Sequence, residues 1–182
     1  STFRRLLTDR MPFTVFDADA CVHELLASDT GVITAVRQAF QLPTASPLDR
    51  TTLRQIVFTA PEERRRLEQI VHPVVRSHWK QLRSACASDG RNFLADIPLL
   101  FETGAEAAFD ATILVAASAE TQRRRLAARG LPPVLIEGML ASQWTIGQKV
   151  PLADHVIWND GSLAELEQQS SLLLAQLFPR AA

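Results

Sequence analysis

The sequence predicts an α/β fold in which a parallel sheet is flanked by helices. Three observations carry this. Short apolar runs at 13–16, 92–97, 111–116 and 155–158 read as strands. Segments of helical periodicity fill the intervals, and that alternation builds a parallel sheet with helices on both faces. Acids close two of the runs, with Asp17 and Asp19 after the first and Asp96 in the second. The carboxyl ends of strands are where sheets of this kind bind ligands.

Residues 2–10 read as a helix with Phe3, Leu6 and Leu7 on one face, and Met11-Pro12 ends it because proline cannot continue the hydrogen-bond ladder. After the first strand, 20–27 is helical with Val22, Leu25 and Leu26 inward, and Thr30 is placed to cap a helix reaching Phe40. Two prolines make 41–47 a loop. Leu53, Ile56 and Val57 give 49–58 helical spacing. Thr59-Ala60-Pro61-Glu62 has capping-box spacing, with proline in the first turn where its missing N–H costs little. The helix it opens carries Leu67, Ile70 and Val71, bends at His72-Pro73 and continues its apolar stripe through Val74, Val75, Trp79 and Leu82. Asp89-Gly90 turns the chain into the second strand, and a short helix at 105–109 precedes the third. Ser118 caps a helix over 119–129, with Glu120 favoured near its positive N-terminus. Gly130 to Pro133 closes that helix, another follows over 134–143, and 144–151 is an irregular, exposed stretch. Beyond the fourth strand, Asn159-Asp160-Gly161 turns, and Ser162-x-x-Glu165 is a second capping box for a last helix reaching residue 177.

Bulk properties exclude several classes. A chain of 182 residues fits one domain with a small appended lid. With 47% hydrophobic residues it can fill a core, and its net charge of −1 gives no basic field for nucleic acid. Cys21 and Cys86 form no CxxC pair and no disulfide framework, which suits a reducing, cytoplasmic setting. No apolar run is long enough to span a bilayer and no signal-peptide pattern is visible, so no membrane partner is expected.

Four groups of residues carry candidate chemistry. One of Asp17 and Asp19 is expected to cap the following helix and the other to face the ligand cleft, as a general base or a ligand in a magnesium shell; both also fit plain helix caps. Asp96 and Glu102 flank Pro98-Leu99-Leu100, either as a strand-ending turn packed in the core or as a loop whose apolar residues line a pocket and whose acids orient hydroxyls or a metal. Arg123, Arg124, Arg125 and Arg129 share a helix, and Arg125 and Arg129 share a face. That face suits a triphosphate, and ion pairing with Glu120 and neighbours is the alternative. The run Arg64-Arg65-Arg66 fits either a phosphate contact or a solvated helix face. His72 fits a structural hydrogen-bonder or a catalyst. Cys21 and His23 are poorly spaced to share a metal, so no metal cage is assigned; His78 and His155 carry no signal, and Trp79, Trp144 and Trp158 are not spaced as a stacking platform.

Taken in order and spacing, the chain resembles the dephospho-CoA kinases. The resemblance runs through Asp17-Ala18-Asp19, Leu48-Asp49-Arg50-x-x-Leu53 and Ile56-Val57-Phe58, then Leu67-Glu68-x-Ile70-x-His72-Pro73 and Asp96 to Glu102. It continues through Phe109-Asp110, Gln122-x-x-Arg125-Leu126-x-x-Arg129, Gln143, Lys149, Ala153-Asp154-x-Val156-Ile157-x-Asn159 and Gly161. It implies a P-loop kinase-like sheet similar to that of nucleoside monophosphate kinases. Residues 1–182 would be one kinase domain, with 20–90 as a mainly helical CoA-substrate region and 130–150 as a lid. The implied reaction is transfer of the ATP γ-phosphoryl group to the ribose 3′-hydroxyl of dephospho-CoA, with Mg2+ accompanying ATP. By the same resemblance Asp19 is the general base. Asp17, His72, Pro98, Leu99, Leu100 and Glu102 lie on the substrate side, and Arg125, Arg129, Asn159 and Gly161 on the ATP side.

The chain also departs from the family pattern. Family members open with an apolar strand and a Gly-rich loop ending in Gly-Lys-Ser/Thr; here Ser1-Thr2 stands where that motif ends, which makes both ATP-site residues and Ser1 the implied magnesium ligand. The expectation is a longer parent protein carrying the strand and loop; a true truncation is the alternative. Met139 stands where the family usually has arginine, and Gln148 where glutamate commonly precedes the matching lysine. Two other functions fit less of the pattern: an inactive relative that binds CoA species or a protein partner, and a nucleotide kinase with another acceptor.

Overall fold

The computed structural model describes residues 1–44, 48 and 50–179. Asp49 and part of the 41–47 loop lie outside the described residues, as do the side chains of Arg50, Phe58 and Thr59. In chain order the helices are α1 (Thr2–Thr8), α2 (Ala18–Ser28), α3 (Thr30–Phe40), α4 (Arg50–Thr59), α5 (Pro61–Ser88), α6 (Ala119–Ala127), α7 (Pro133–Ala141), α8 (Ile146–Lys149) and α9 (Leu163–Leu177). The strands are β1 (Thr14–Asp17), β2 (Phe93–Asp96), β3 (Ile113–Ala116) and β4 (His155–Trp158). All four lie where the apolar runs predict them. Among the described residues no helix is long and apolar enough to cross a membrane.

The chain divides into two compact units, Phe13–Pro98 and Ser1–Pro12 with Leu99–Ala182. The strands pair accordingly as two parallel ladders, β1 with β2 and β3 with β4. A sequence shows where a strand lies but not which backbone satisfies it, so the partners were not legible.

In the Phe13–Pro98 unit, β1 and β2 pair from Thr14↔Phe93 to Asp17↔Asp96, which sets two acids side by side at the ladder's carboxyl end. The 28-residue α5 packs against α2, α3 and α4 through a stripe that buries Val71, Val75, Trp79 and Cys86. Pro73 lies inside this helix, which continues on both sides of it. Proline forfeits one backbone bond, and here the buried stripe on both sides of it holds the helical path. Two expected caps are corrected. The N-cap of α3 is Asp29, whose carboxylate accepts from Val32 N at 2.8 Å, because Thr30 is already helical. The N-cap of α5 is Ala60 with no side-chain bond, so its start rests on Pro61 in the first turn with Glu62 and Glu63 near the positive helix end. The Arg64–Arg66 run is a solvated face as read, pairing with Glu68, Glu62 and Glu63.

In the other unit, α1 is capped by Ser1, whose Oγ accepts from Arg4 N at 3.3 Å. It buries Phe3, Leu6 and Leu7 and packs on α9. The Ser162–Glu165 capping box forms as predicted and opens α9, which buries Leu166, Leu173 and Leu174. The β3–β4 ladder runs from Ile113↔His155 to Ala116↔Trp158 and is latched at each end by a carboxylate. Asp154 accepts from the Thr112 backbone N–H at 2.8 Å and its hydroxyl at 2.7 Å. Asp160 accepts from the Ser118 N–H at 2.9 Å and from its hydroxyl at 2.9 Å. Gly130, at φ +78°, takes the left-handed conformation that ends the α6 segment and that other residues adopt at a cost. The 105–109 helix is a short 3₁₀ turn at Glu106–Ala108. The stretch 144–151 is not irregular: α8 occupies it, opened by a capping box between Thr145 and Gln148. A four-residue helix is shorter than any periodicity can reveal.

Trp79 is 3% exposed in the α5 stripe. Trp79→Ala is expected to cost about 3–5 kcal/mol by the usual penalty for an emptied aromatic site, read as a lowered urea midpoint at unchanged slope. A loss below about 1 kcal/mol would mean that α5 is not held by this stripe.

Candidate active site

Two groups of side chains stand out, one in each unit. In the Phe13–Pro98 unit, the ladder ends with Asp17 beside Asp96. Asp17 is the N-cap of α2 and accepts from Ala20 N at 3.0 Å. Asp19, in the first turn of α2, is open to solvent on one side. Desolvation on its inner side pushes its carboxyl pKa up, and the charges of Asp17 and Asp96 push the same way, while His23 opposes them. Asp17 thus caps the helix as one of the two acids was expected to, and Asp19 is left as a crowded carboxylate with raised proton affinity. Such a group is a better base than an ordinary aspartate. His72 is half-buried on α5, and that burial holds its imidazole below the usual pKa.

In the other unit, a cleft of about 660 Å³ opens beside β3, a size suited to a small-molecule ligand. Arg125, Arg129 and Asn159 all line it, so the helix-face reading of the two arginines and the loop residue converge. Arg125 Nη2 donates to Asn159 Oδ1 at 3.5 Å. Arg123 lines it too, in a forked pair with Glu137 at 2.7 and 3.0 Å rather than with Glu120. Gln143 and Lys149, which entered only as matches to a family pattern, are also in the wall, together with Trp144.

Glu102 organises this wall. Its Oε1 accepts from Lys149 Nζ at 2.8 Å and from the Trp144 backbone N–H at 2.9 Å. Lys149 Nζ also donates to Gln143 Oε1 at 3.3 Å. The Lys149 and Glu102 side chains are 7% and 12% exposed, so the pair is nearly dry. Glu102 thus clamps the wall from within. Asp96 and Glu102, read as two acids flanking one loop, belong to different units, with Pro98 and Leu99 on either side of the division. From Leu99 the chain turns, with Thr103 Oγ donating to Leu99 O at 2.8 Å, Ala105 N to Leu100 O at 3.0 Å, and Phe101 buried. Ser1 and Thr2 form the cap and first residue of α1.

Gly161 has a local reason to be glycine: a Cβ there would collide with the Glu165 carboxylate of the α9 capping box. Cys21 Sγ lies 3.5 Å from His78 Nδ1, a contact the sequence gave no sign of. Among the described residues, no group of three or more His, Cys, Asp and Glu is disposed to hold a metal ion.

Comparison with known proteins gives a consistent result. The sequence pattern of the dephospho-CoA kinase family matches residues 1–165. A dephospho-CoA kinase of Symbiobacterium thermophilum is 39% identical over 85% of this chain and 67% of its own length. One from Streptomyces avermitilis is 36% identical over 100% of this chain and 89% of its own. A crystal structure from Thermus thermophilus superposes with a TM-score of 0.74 at 33% identity, covering 97% of this chain and 90% of that one. A dephospho-CoA kinase from Campylobacter jejuni, at 24% identity and a TM-score of 0.68, shares the fold over the same proportions.

The site geometry sets two expected outcomes. The folded pKa of Asp19 is raised, so its ionised form disfavours the fold, and that penalty grows as pH rises from the unfolded value of about 3.9 through the folded one. Asp19→Asn is therefore expected to raise the melting temperature at pH 7, with the gain vanishing below about pH 3.9; equal melting at pH 7 would refute the crowding. Glu102→Ala strands the Lys149 ammonium in a dry site and is expected to cost about 3–5 kcal/mol. A urea midpoint within about 1 kcal/mol of the parent would mean the clamp carries no weight.

Proposed function

The chain belongs to the dephospho-CoA kinase family, and from that membership we propose that it transfers the γ-phosphoryl group of ATP to the ribose 3′-hydroxyl of dephospho-CoA, the last step of coenzyme A biosynthesis. The observation that carries the reading is the cleft in which Arg125, Arg129 and Asn159 converge. Phosphoryl transfer demands little covalent chemistry of a protein and much charge neutralisation and positioning. Guanidinium groups supply fixed, always-charged donors for phosphate oxygens.

In this proposal Asp19 accepts the 3′-hydroxyl proton while that oxygen bonds to the γ-phosphorus and the bond to the β–γ bridging oxygen breaks, releasing ADP. The raised proton affinity of Asp19 suits that task. Asp17 fixes the start of the helix that carries it. Residues 20–90 are assigned to the acceptor, with His72, Pro98, Leu99 and Leu100 on that side, and 130–150 to a lid over the donor. Asn159 and the adjoining Gly161 are assigned to the nucleoside end of ATP, and Ser1 and Thr2 to its phosphates. Glu102 is assigned to the cleft wall, through Lys149 and Trp144. Mg2+ is assigned as the nucleotide's counter-ion, held chiefly by phosphate oxygens with the Ser1 hydroxyl as protein ligand.

The test is CoA and ADP formation from dephospho-CoA and ATP, with AMP as competing acceptor. Dephospho-CoA is expected to be phosphorylated and AMP to compete weakly. Preferential phosphorylation of AMP would establish another acceptor, and ligand binding without turnover an inactive relative. Asp19→Asn is expected to lower kcat by ~10²–10⁴-fold with little change in KM for ATP. The acid limb of the parent's pH–rate profile, where rate falls as Asp19 is protonated, should vanish with it. Unchanged turnover would remove Asp19 from the role of base.

A further inference from the structure

Trp144 lines the arginine cleft and is 44% exposed. It is held more tightly than an exposed aromatic needs to be. Its backbone N–H is bound by Glu102 Oε1, and that oxygen is itself fixed by the buried Lys149 ammonium. On one side Gln143 is tied to the same lysine, and on the other Thr145 caps α8 in a closed capping box. The residue therefore sits between two anchored neighbours. Leu140 and Ile146 line the cleft with it and add apolar surface. The same cleft presents Arg125 and Arg129, which are suited to phosphates and not to a heterocycle. One concavity thus joins cations with an exposed tryptophan whose backbone is anchored, the two kinds of group a nucleotide needs.

We infer that the Trp144 indole is a nucleobase wall, on which the adenine of ATP stacks while the arginines hold its phosphates. Stacking on an indole needs only a planar ring, so this contact supplies affinity for a nucleoside over bare polyphosphate rather than a choice among bases. Glu102 then acts as a positioning residue, orienting the indole through the Trp144 backbone. The inference rests on the reading of this cleft as the ATP site. The exposed Trp158 is not among the cleft residues and serves as an internal control.

The experiment measures binding of ATP and of inorganic tripolyphosphate to the enzyme by calorimetry, for the parent, Trp144→Leu and Trp144→Phe. Trp144→Leu is expected to weaken ATP ~10-fold or more, the usual loss of one base–aromatic stack, with tripolyphosphate changed less than about twofold. Trp144→Phe, which keeps an aromatic face, is expected to recover most of the ATP affinity. Unchanged ATP affinity in Trp144→Leu overturns the inference, and so does an equal loss for both ligands, which would make Trp144 a support for the phosphate groups alone. A second measurement leaves Trp144 intact: in Trp158→Phe, acrylamide quenching of tryptophan emission is expected to fall with ATP and not with tripolyphosphate. Equal quenching with and without ATP overturns the inference even if Trp144→Leu fails to fold. If the parent binds and stacks ATP yet phosphorylates no dephospho-CoA, the functional reading fails and this one stands.

Discussion

A lysine that is nearly dry must be paired, and the cleft of the Leu99–Ala182 segment is arranged around that requirement. Lys149 is buried, Glu102 answers its charge, and the geometry of the answer places Trp144 and Gln143. Desolvating two ions costs several kcal/mol each, so such a pair is seldom a large net source of stability. What it provides is a single arrangement, because any other would strand a charge. The second oxygen of Glu102 is buried without a hydrogen bond among the described residues, so the clamp leans on one oxygen that takes two donors.

The other unit solves the opposite problem. Asp17 and Asp96 close a two-stranded ladder beside Asp19, their charges push the Asp19 pKa up, and Asp17 caps the start of α2. The remaining strain falls on Asp19, which sits where helix geometry, the ladder register and solvent access meet. A carboxylate held this way binds a proton more readily than an ordinary aspartate.

The parts legible in the sequence are those governed by local rules. Strand positions followed from apolar runs, α9 from its Ser162–Glu165 box, and an acidic cap on α2 from where a strand must turn into a helix. The arginine face followed from i, i+4 spacing, and its neighbours Gln143 and Lys149 from likeness to a family. What escaped depends on partners distant in sequence. Nothing near Glu102 announces that it will meet Lys149, nothing in Arg123 favours Glu137 over Glu120, and nothing in Trp144 distinguishes a cleft wall from a surface residue. The α8 helix escaped because one turn has no period to detect, although its Thr145–Gln148 box was there to be read. The cap of α3 slipped by one residue because Ser28-Asp29-Thr30 offers several candidates to the same helix, and that of α5 because its N-cap, Ala60, has no side chain that could announce it.

The two latches on the β3–β4 ladder share a chemistry that gives this unit a common acid limit. Hydrogen bonds from the Thr112 hydroxyl and backbone hold the Asp154 carboxyl below its ordinary pKa, and the Ser118 backbone does the same for Asp160. Each latch therefore contributes fully above the ordinary aspartate range and is surrendered as pH falls through its own lowered value. Each donor set faces a neutral acid once its own latch is protonated. With both latches protonated, the crossover that carries α6, α7 and α8 would lose its tethers to the ladder ends, and with them the frame that sets Arg125 against Asn159.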